Sequence, residues 1–448
     1  MKPLKIGITG VRGIVGETFT PELAVSFAQA FATYLDGGRI LICRDTRPSG
    51  GMIRSAVAAG LLASGCEVID LGVCPTPSMQ LAIDWLNANG GIAITAGHNP
   101  SAWNALKFVR NDGLYLNANQ AEELLDIFHQ GEFSKATWQT IETRIGQDNA
   151  MPEHINRLKA AFDVASIRSR ELVVAVDCCN GACSLLSPRW LETLGCKVLA
   201  VNDDPTAAFP HQPEPKRETM AQLCAVVKAG KANIGFAHDA DGERLGLVTE
   251  LGEPLSEEMS FAVATEIRLR QRPGTVVTNI STSGAIEEIA KRYGSTVVRT
   301  PVGQTYISEG IIEYNAVLGG EGSGGIAIPE VHPTHDGAAA IGLILEHLAR
   351  TGERISTVVE QVPRLTIAKH NVPVEPNLLY SVLHDFRTSL EDENLPVDLT
   401  DGIKVSLPKG WVHVRASNTE SMIRIIVEAA ESSDADELLN WTRDRLRK

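Results

Sequence analysis

Asp239, Asp241 and Glu243 fall at alternate positions in the stretch AHDADGERLGLV, directly after an apolar run. Carboxylates at this spacing, with small Ala240 and Gly242 between them, can curl around one hard cation. An oxygen-only ligand set suits Mg2+, which keeps water or substrate oxygens in its shell. The distal bidentate Glu and the helix–loop–helix setting of a calcium-binding EF-hand are missing. The same letters also describe a solvated acidic turn, and it is the position at a strand's end that favours the metal. Arg244 follows at once and is placed to neutralise a phosphoryl group held by the metal.

Three other stretches offer chemistry. In RASNTESMIR, Arg415, Ser417, Asn418 and Thr419 supply a guanidinium fork, two hydroxyls and an amide within one turn, a set that suits a phosphate dianion. Taken alone, this reads first as a polar hairpin turn with a surface arginine. In GGEGSGGIAIPE, Glu321 and Ser323 project from a glycine-dense turn and could grip vicinal sugar hydroxyls; the glycines could also serve only positive φ angles. The opening TGVRGIVG, CRDTRPSGG and TAGHNPSAWNALKF bring Arg12, Arg47, His98 and Lys107 as candidate cations for a phosphoryl group in transit. His98 has the near-neutral pKa useful to a general base, although a lone histidine is more often structural. An internal ion pair with Asp45 is the competing reading for Arg44 and Arg47.

These loops need strands and helices to hold them. Short apolar runs alternate with amphipathic helical patterns through the first three quarters of the chain. RILICRD, GGIAIT, LVVAVD, ANIGFAH, TVVTNIS and NAVLGGE read as strands, and PELAVSFAQAFATYL and GGMIRSAVAAGLLASG as helices. Thr20 is the expected N-cap of the first of these helices, with Pro21 in its first turn. The alternation predicts α/β layers with mostly parallel strands. Fresh units begin after MPEHINRLKAAFD and near RPGTVVTNIST, and VPVEPNLLYSV reads as a linker. Boundaries near 148, 253 and 366 divide the chain into 1–147, 148–252, 253–365 and 366–448. The last unit alternates in period two through WVHVRASNTE and MIRIIVEA and closes on a helical pattern, so it reads as a small α+β domain.

The 448 residues carry a formal net charge of −14. That argues against nucleic acid or an anionic membrane surface as a bulk partner, while leaving room for a local basic site. The eight cysteines form no paired C-x-x-C ligand set and sit mostly in apolar segments, as reduced thiols of a cytoplasmic protein would. No signal peptide and no apolar run long enough to span a bilayer is expected.

Taken together and in order, GITGVRGIVG, CRDTRPSGG, TAGHNPSAWNALKF, PTPS, VDCCNGACS, AHDADGERLGLV, RTPVG, GGEGSGG and RASNTE resemble the α-D-phosphohexomutase superfamily over essentially the whole chain. The resemblance implies three α/β domains around a deep cleft, plus a smaller C-terminal α+β domain with an antiparallel sheet. It implies transfer of phosphate between O1 and O6 of a hexose or hexosamine through a bisphosphorylated sugar. Mg2+ is the implied cofactor and a sugar 1,6-bisphosphate the implied activator. The partner is a small phosphosugar, and the chain is a monomer or a homodimer. By position, Asp239, Asp241 and Glu243 match metal ligands, the third being usually Asp in the family. Arg12, His98, Lys107 and Arg244 match residues that assist transfer. Glu321 and Ser323 match the sugar grip, and Arg415, Ser417, Asn418 and Thr419 the distal phosphate clamp. Pro301 stands where many members have Lys, and Gly325 where many have His. TPVG with GEG-x-GG resembles the phosphoglucosamine and phosphomannose mutase branches.

One position departs sharply. Gly97 matches the phosphoserine that carries the phosphoryl group, and it has no side chain to phosphorylate. Ser101 lies four residues on, past Pro100, and is expected to point elsewhere. Three readings stand open: a mutase site with its nucleophile replaced, a site using another carrier such as His98 or a bound sugar bisphosphate, or a protein that binds phosphosugars without isomerising them. The intact acidic loop favours some mutase-type activity.

Overall fold

The first sheet is nucleated by the apolar runs Arg39–Arg44 and Gly90–Ile94, which pair in parallel and are buried on both faces. In the computed structural model, which describes residues 4–141, 145–375, 377–417 and 422–446, this sheet has seven strands. Glu67–Val73 and Ile145–Gln147 extend it on one side in parallel. On the other side Trp103–Val109, Gly10–Ile14 and Lys5–Gly7 are antiparallel. The expected opening loop is therefore largely a strand, and it carries Arg12 opposite Ala105. Gly10 permits the approach: its φ is +144°, and a Cβ there would lie 1.9 Å from the Leu106 carbonyl oxygen.

The helix Pro21–Tyr34 starts as its residues predict, with the Thr20 hydroxyl accepting from the Leu23 amide at 3.3 Å. GGIAIT stops as a strand at Ile94, and NAVLGGE contracts to Leu318–Gly320. The strand Val173–Asp177 ends where Cys179 and Asn180 take φ of +53° and +50°, turning the chain into the short helical turn Ala182–Leu185.

The second sheet orders its four strands as Leu245–Thr249, Ile234–His238, Val173–Asp177 and Lys197–Val201, parallel except for the first. The third has five: Thr296–Thr300, Thr275–Asn279, Leu318–Gly320, Ile326–Ile328 and His332–His335, the first three parallel. One apolar core runs through the second and third sheets, from Met151 to Val362, and takes in Leu81 of the helix Thr76–Trp85 in the first unit. The fourth sheet is wholly antiparallel, in the order Thr366–Pro373, Met422–Ala429, Gly410–Ala416, Ile403–Leu407, Val397–Asp398. Helices Leu379–Asp392 and Ser432–Leu446 cover it, and Phe386, Val412, Ile425 and Leu438 belong to a core of its own. The architecture is thus three α/β units and a smaller antiparallel α+β unit.

Among the described residues all eight cysteines are free, and all but Cys224 are buried. No helix there is long and apolar enough to cross a membrane.

Candidate active site

The acidic loop follows the buried strand Ile234–His238 and is tied to both neighbouring units through its backbone. The Thr76 amide donates to the Asp241 carbonyl at 3.0 Å, and the Gly337 amide to the Gly242 carbonyl at 3.0 Å. Arg244 forms a bridge with Gly325, and the Leu245 amide donates to the Gly324 carbonyl at 3.0 Å. Three sheets thereby present their strand ends to one basin.

Gly97 sits in that basin, in the loop after Gly90–Ile94, with φ of +54°. A Cβ built on it would stand 3.3 Å from Asp241 Oδ2. The loop's shape is held by neighbours. The Gly97 amide donates to Thr95 Oγ1 at 3.0 Å, and Arg47 Nη2 donates to the Gly97 carbonyl at 3.1 Å. Arg47 also donates to the carbonyls of Pro100 and Trp103, and pairs through Nε with Asp45 Oδ2 at 2.7 Å. It is 1% exposed. This corrects the reading of Arg47 as a cation for the migrating phosphoryl group: its donors are spent on the loop, and its charge is compensated by Asp45.

The acidic side chains have taken different partners. Lys107, on the strand Trp103–Val109, reaches Asp241 Oδ2 at 2.8 Å and Glu243 Oε2 at 2.6 Å. The Tyr115 hydroxyl donates to Glu243 Oε1, and the Thr95 hydroxyl lies 2.6 Å from Asp45 Oδ2 and 3.1 Å from Asp241 Oδ2. Asp239 Oδ1 accepts from the Arg244 amide at 3.1 Å, while Asp241 Oδ1 is buried without a hydrogen-bond partner. Burial and then repulsion by Asp241 push the Asp239 pKa well up. Burial would raise Asp241 too, but the Lys107 ammonium together with Thr95 and Arg47 brings the pKa down. Among the described residues no three His, Cys, Asp or Glu already surround a common ligand point. The donor set nevertheless fits a hard divalent cation. It is oxygen-only, it holds an orphaned carboxylate oxygen, and one of its acids is destabilised as an anion for want of positive charge.

Around it lies a cavity of about 150 Å³, whose walls include Arg12, Gly97, His98, Lys107, Arg244 and Glu321. His98 is kept neutral there: burial, then the charges of Arg244, Arg12 and Lys107, hold its pKa well below the ordinary value. Arg244 also pairs with Glu214 at 2.9 Å.

Arg244 and Glu321 line a second cavity as well, of about 210 Å³, together with Ser323 and Arg415. Glu321 accepts from Ser323 Oγ at 2.6 Å and from Asn279 Nδ2 at 2.7 Å. Arg415 lies on the strand Gly410–Ala416, directly across from Arg424. Its Nε is 3.3 Å from Asp401 Oδ1. Burial lowers the Arg415 pKa; Asp401 opposes this and Arg424 adds to it. Two guanidiniums side by side at the wall of a cavity make an anion site. Ser417 is buried at the end of the same strand, its amide donating to the Met422 carbonyl at 2.9 Å. Asn418 and Thr419 lie outside the described residues.

Sequence reasoning missed several residues that the fold brings here. Tyr115 engages Glu243. Gln304, with its amide turned to satisfy both neighbours, donates to Glu243 Oε1 at 3.2 Å and accepts from the His335 amide at 3.0 Å. His335 lines the first cavity and Arg424 the second. Arg424 had a signal in MIRIIVEA, a charge repeated inside a strand that otherwise alternates apolar residues. Gln304 directly follows RTPVG but carried no signal of its own, and Tyr115 and His335 lie outside the quoted motifs.

Comparison with known proteins agrees with this layout. Four sequence profiles match in succession: phosphoglucomutase/phosphomannomutase α/β/α domain I over residues 3–135, domain II over 152–252, domain III over 256–365 and the C-terminal domain over 371–443. A phosphoglucomutase/phosphomannomutase of Thermococcus kodakarensis is 37% identical, with 97% of this chain and 96% of that protein covered. A probable phosphoglucosamine mutase of Methanopyrus kandleri is 34% identical over 99% of this chain and 97% of its own length. Among solved structures, a putative phosphomannomutase from Thermus thermophilus superposes with a TM-score of 0.84 at 26% identity, both chains covered in full.

Proposed function

Because the chain belongs to the phosphoglucomutase/phosphomannomutase family of α-D-phosphohexomutases, we propose that it interconverts the 1-phosphate and 6-phosphate of a hexose or hexosamine by way of a bisphosphorylated sugar. The observation that carries this reading is the adjacency of two cavities that share Arg244 and Glu321 as wall residues. One end offers acidic groups and cations for a phosphoryl group in transit. The other offers paired guanidiniums for a phosphate that stays bound. A sugar bearing a phosphate at either O1 or O6 satisfies both ends in turn.

In this reading Arg415, Arg424 and Ser417 hold the resting phosphate, with Asn418 and Thr419 proposed to complete the clamp. Glu321 and Ser323 orient the ring. Arg12, Lys107 and Arg244 stabilise charge on the migrating group, where positioning and electrostatics supply most of the catalysis. Mg2+ would be held by Asp239, Asp241 and Glu243 and would add positive charge at the phosphoryl oxygens. Lys107 now neutralises two of those carboxylates, so it is the group that must yield to the ion and turn to the phosphate. The same reading keeps the divisions at 148, 253 and 366 and a cytoplasmic monomer or homodimer.

Gly97 leaves the protein without its own covalent carrier, and a sugar 1,6-bisphosphate is the proposed donor in its place. A second reading, phosphosugar binding without turnover, draws on the same glycine. The test is ³¹P NMR of a hexose 1-phosphate incubated with the protein, Mg2+ and a catalytic amount of bisphosphate. Slow formation of the 6-phosphate is expected, and G97S should raise it at least about 100-fold, because losing a covalent nucleophile costs orders of magnitude in rate. No turnover in either protein, with phosphosugar binding retained, would establish the binding role instead.

A further inference from the structure

His335 ends the strand His332–His335 and is 3% exposed. Its ring lines the first cavity with Glu321, Lys107 and Gln304. Its Nε2 is buried and has no hydrogen-bond partner. An imidazole nitrogen withdrawn from water and left unpaired is destabilising, and where a fold keeps one in a cavity wall a ligand is the natural partner. The backbone secures the ring's position, since the His335 amide is held by Gln304 at 3.0 Å. The ring also lies against the sugar-gripping turn. A Cβ on Gly325 would stand 2.3 Å from His335 Nδ1 and 2.4 Å from Cε1, so only glycine at 325 leaves this imidazole its place. The Gly325 carbonyl in turn accepts from the Glu321 amide at 3.0 Å. Any sugar gripped by Glu321 therefore shares a cavity with this buried, unpartnered imidazole nitrogen.

We propose that His335 is the acid–base residue for the reacting sugar hydroxyl, an inference that rests on the mutase reading. In the forward step the hydroxyl oxygen bonds the phosphorus of a phosphate monoester donor, a sugar bisphosphate in the natural chain. The hydroxyl proton passes to Nε2, the P–O bond to the donor oxygen breaks with its electron pair on that oxygen, and Nε2 delivers the proton there. In the return step an accepting hydroxyl bonds the phosphorus and gives its proton to Nε2, which passes it to the sugar oxygen as that oxygen's P–O bond breaks. Burial keeps the resting ring neutral against the pull of Glu321 and Glu243, so Nε2 is free to accept.

Two variants and a relocation test this. In H335A and H335Q, kcat for 1-phosphate to 6-phosphate conversion should fall about 100-fold or more, the usual range for a lost acid–base group, with KM changed less than about threefold. Removing the ring also clears the space over Gly325. In G325H/H335A, which returns an imidazole from the neighbouring strand, kcat should recover at least tenfold over H335A; a merely structural role predicts no such recovery. Free imidazole should rescue H335A and leave H335Q, whose longer side chain fills the gap, unrescued. Unchanged kcat in both single variants, or a fall confined to KM, would overturn the assignment. All measurements are repeated in a G97S background. Turnover only in that background would strike the bisphosphate-donor reading while still reporting on His335; turnover in neither background would overturn both.

Discussion

The two ends of the basin are built in opposite ways. The acidic loop is locked in place: backbone hydrogen bonds join it to helix starts at Thr76 and Gly337, and its side chains are cross-tied to Lys107, Tyr115 and Thr95. The units that carry it share apolar contacts, the second and third sheets having a common core. The phosphate clamp belongs to a sheet with a separate core. That sheet meets the third unit along a polar seam. Asp401 accepts from the Val302 amide at 2.9 Å, Lys404 donates to the Ile280 carbonyl at 2.7 Å, Ser281 and His413 lie 2.9 Å apart, and Glu428 accepts from the Gly284 amide at 2.8 Å. A cavity of about 490 Å³ runs beside these contacts. Polar seams exchange their partners for water at little cost, whereas a shared core does not. The difference suits the proposed roles: a rigid end to stabilise charge, and a clamp that can move to admit and release a sugar.

The strongest way to break this comparison is D241A. Asp241 is at once a metal candidate, the partner of Lys107 and Thr95, and the neighbour of residue 97. We expect turnover to fall by about 1,000-fold or more, with Mg2+ affinity lost in calorimetry; unchanged Mg2+ affinity would refute the metal assignment. R415A sharpens the other side. It should weaken phosphosugar binding about 100-fold, or ~3 kcal/mol, as expected for losing a buried charge-assisted contact, while leaving Mg2+ affinity as it was. Phosphosugar binding equal to that of the parent would remove Arg415 from the clamp.

The smallest effect tests the seam. Burial, then the nearby Arg299 charge, pulls the Lys404 pKa down to about 8, although its ammonium lies 3.9 Å from the centre of the Trp411 ring. Below pH 8 this lysine is charged in both folded and unfolded states, and the fold bears the whole desolvation penalty. Between about 8 and 10.5 the folded form has lost the proton and the unfolded form keeps it, so this group makes stability rise with pH. Urea unfolding of K404M should show a flatter profile across that window than the parent. A profile identical to the parent's would mean that the seam does not hold Lys404 as described.

What was legible in the sequence follows from locality. Asp239, Asp241, Glu243 and Arg244 announced themselves because a single turn carries all four. Arg415 and Glu321 did so through their own compact turns. The alternating strands and helices gave the layering because burial on two faces demands long apolar runs. The strands Gly10–Ile14 and Trp103–Val109 were harder to see, since their pairing partners lie about ninety residues away and their edges are rich in glycine and polar residues. His335, Gln304 and Tyr115 were invisible for the same reason: each is an ordinary residue in an ordinary segment, made functional only by where the third sheet and the first happen to face one another. Of the two readings given for Arg47, the ion pair with Asp45 holds and the reagent does not, because charge alone does not say whether a guanidinium faces a cavity or the carbonyls of its own loop.

That brace has a consequence for residue 97. The bend there is held from outside residue 97 by Arg47, Asp45 and Thr95, at a φ of +54° that a side chain adopts only with strain. On the proposed reading this is an address kept without its occupant. A cysteine installed at 97 would inherit that address as a thiol poised against Asp241, and its alkylation rate would report, like a dye in a keyhole, whether the lock around it is filled.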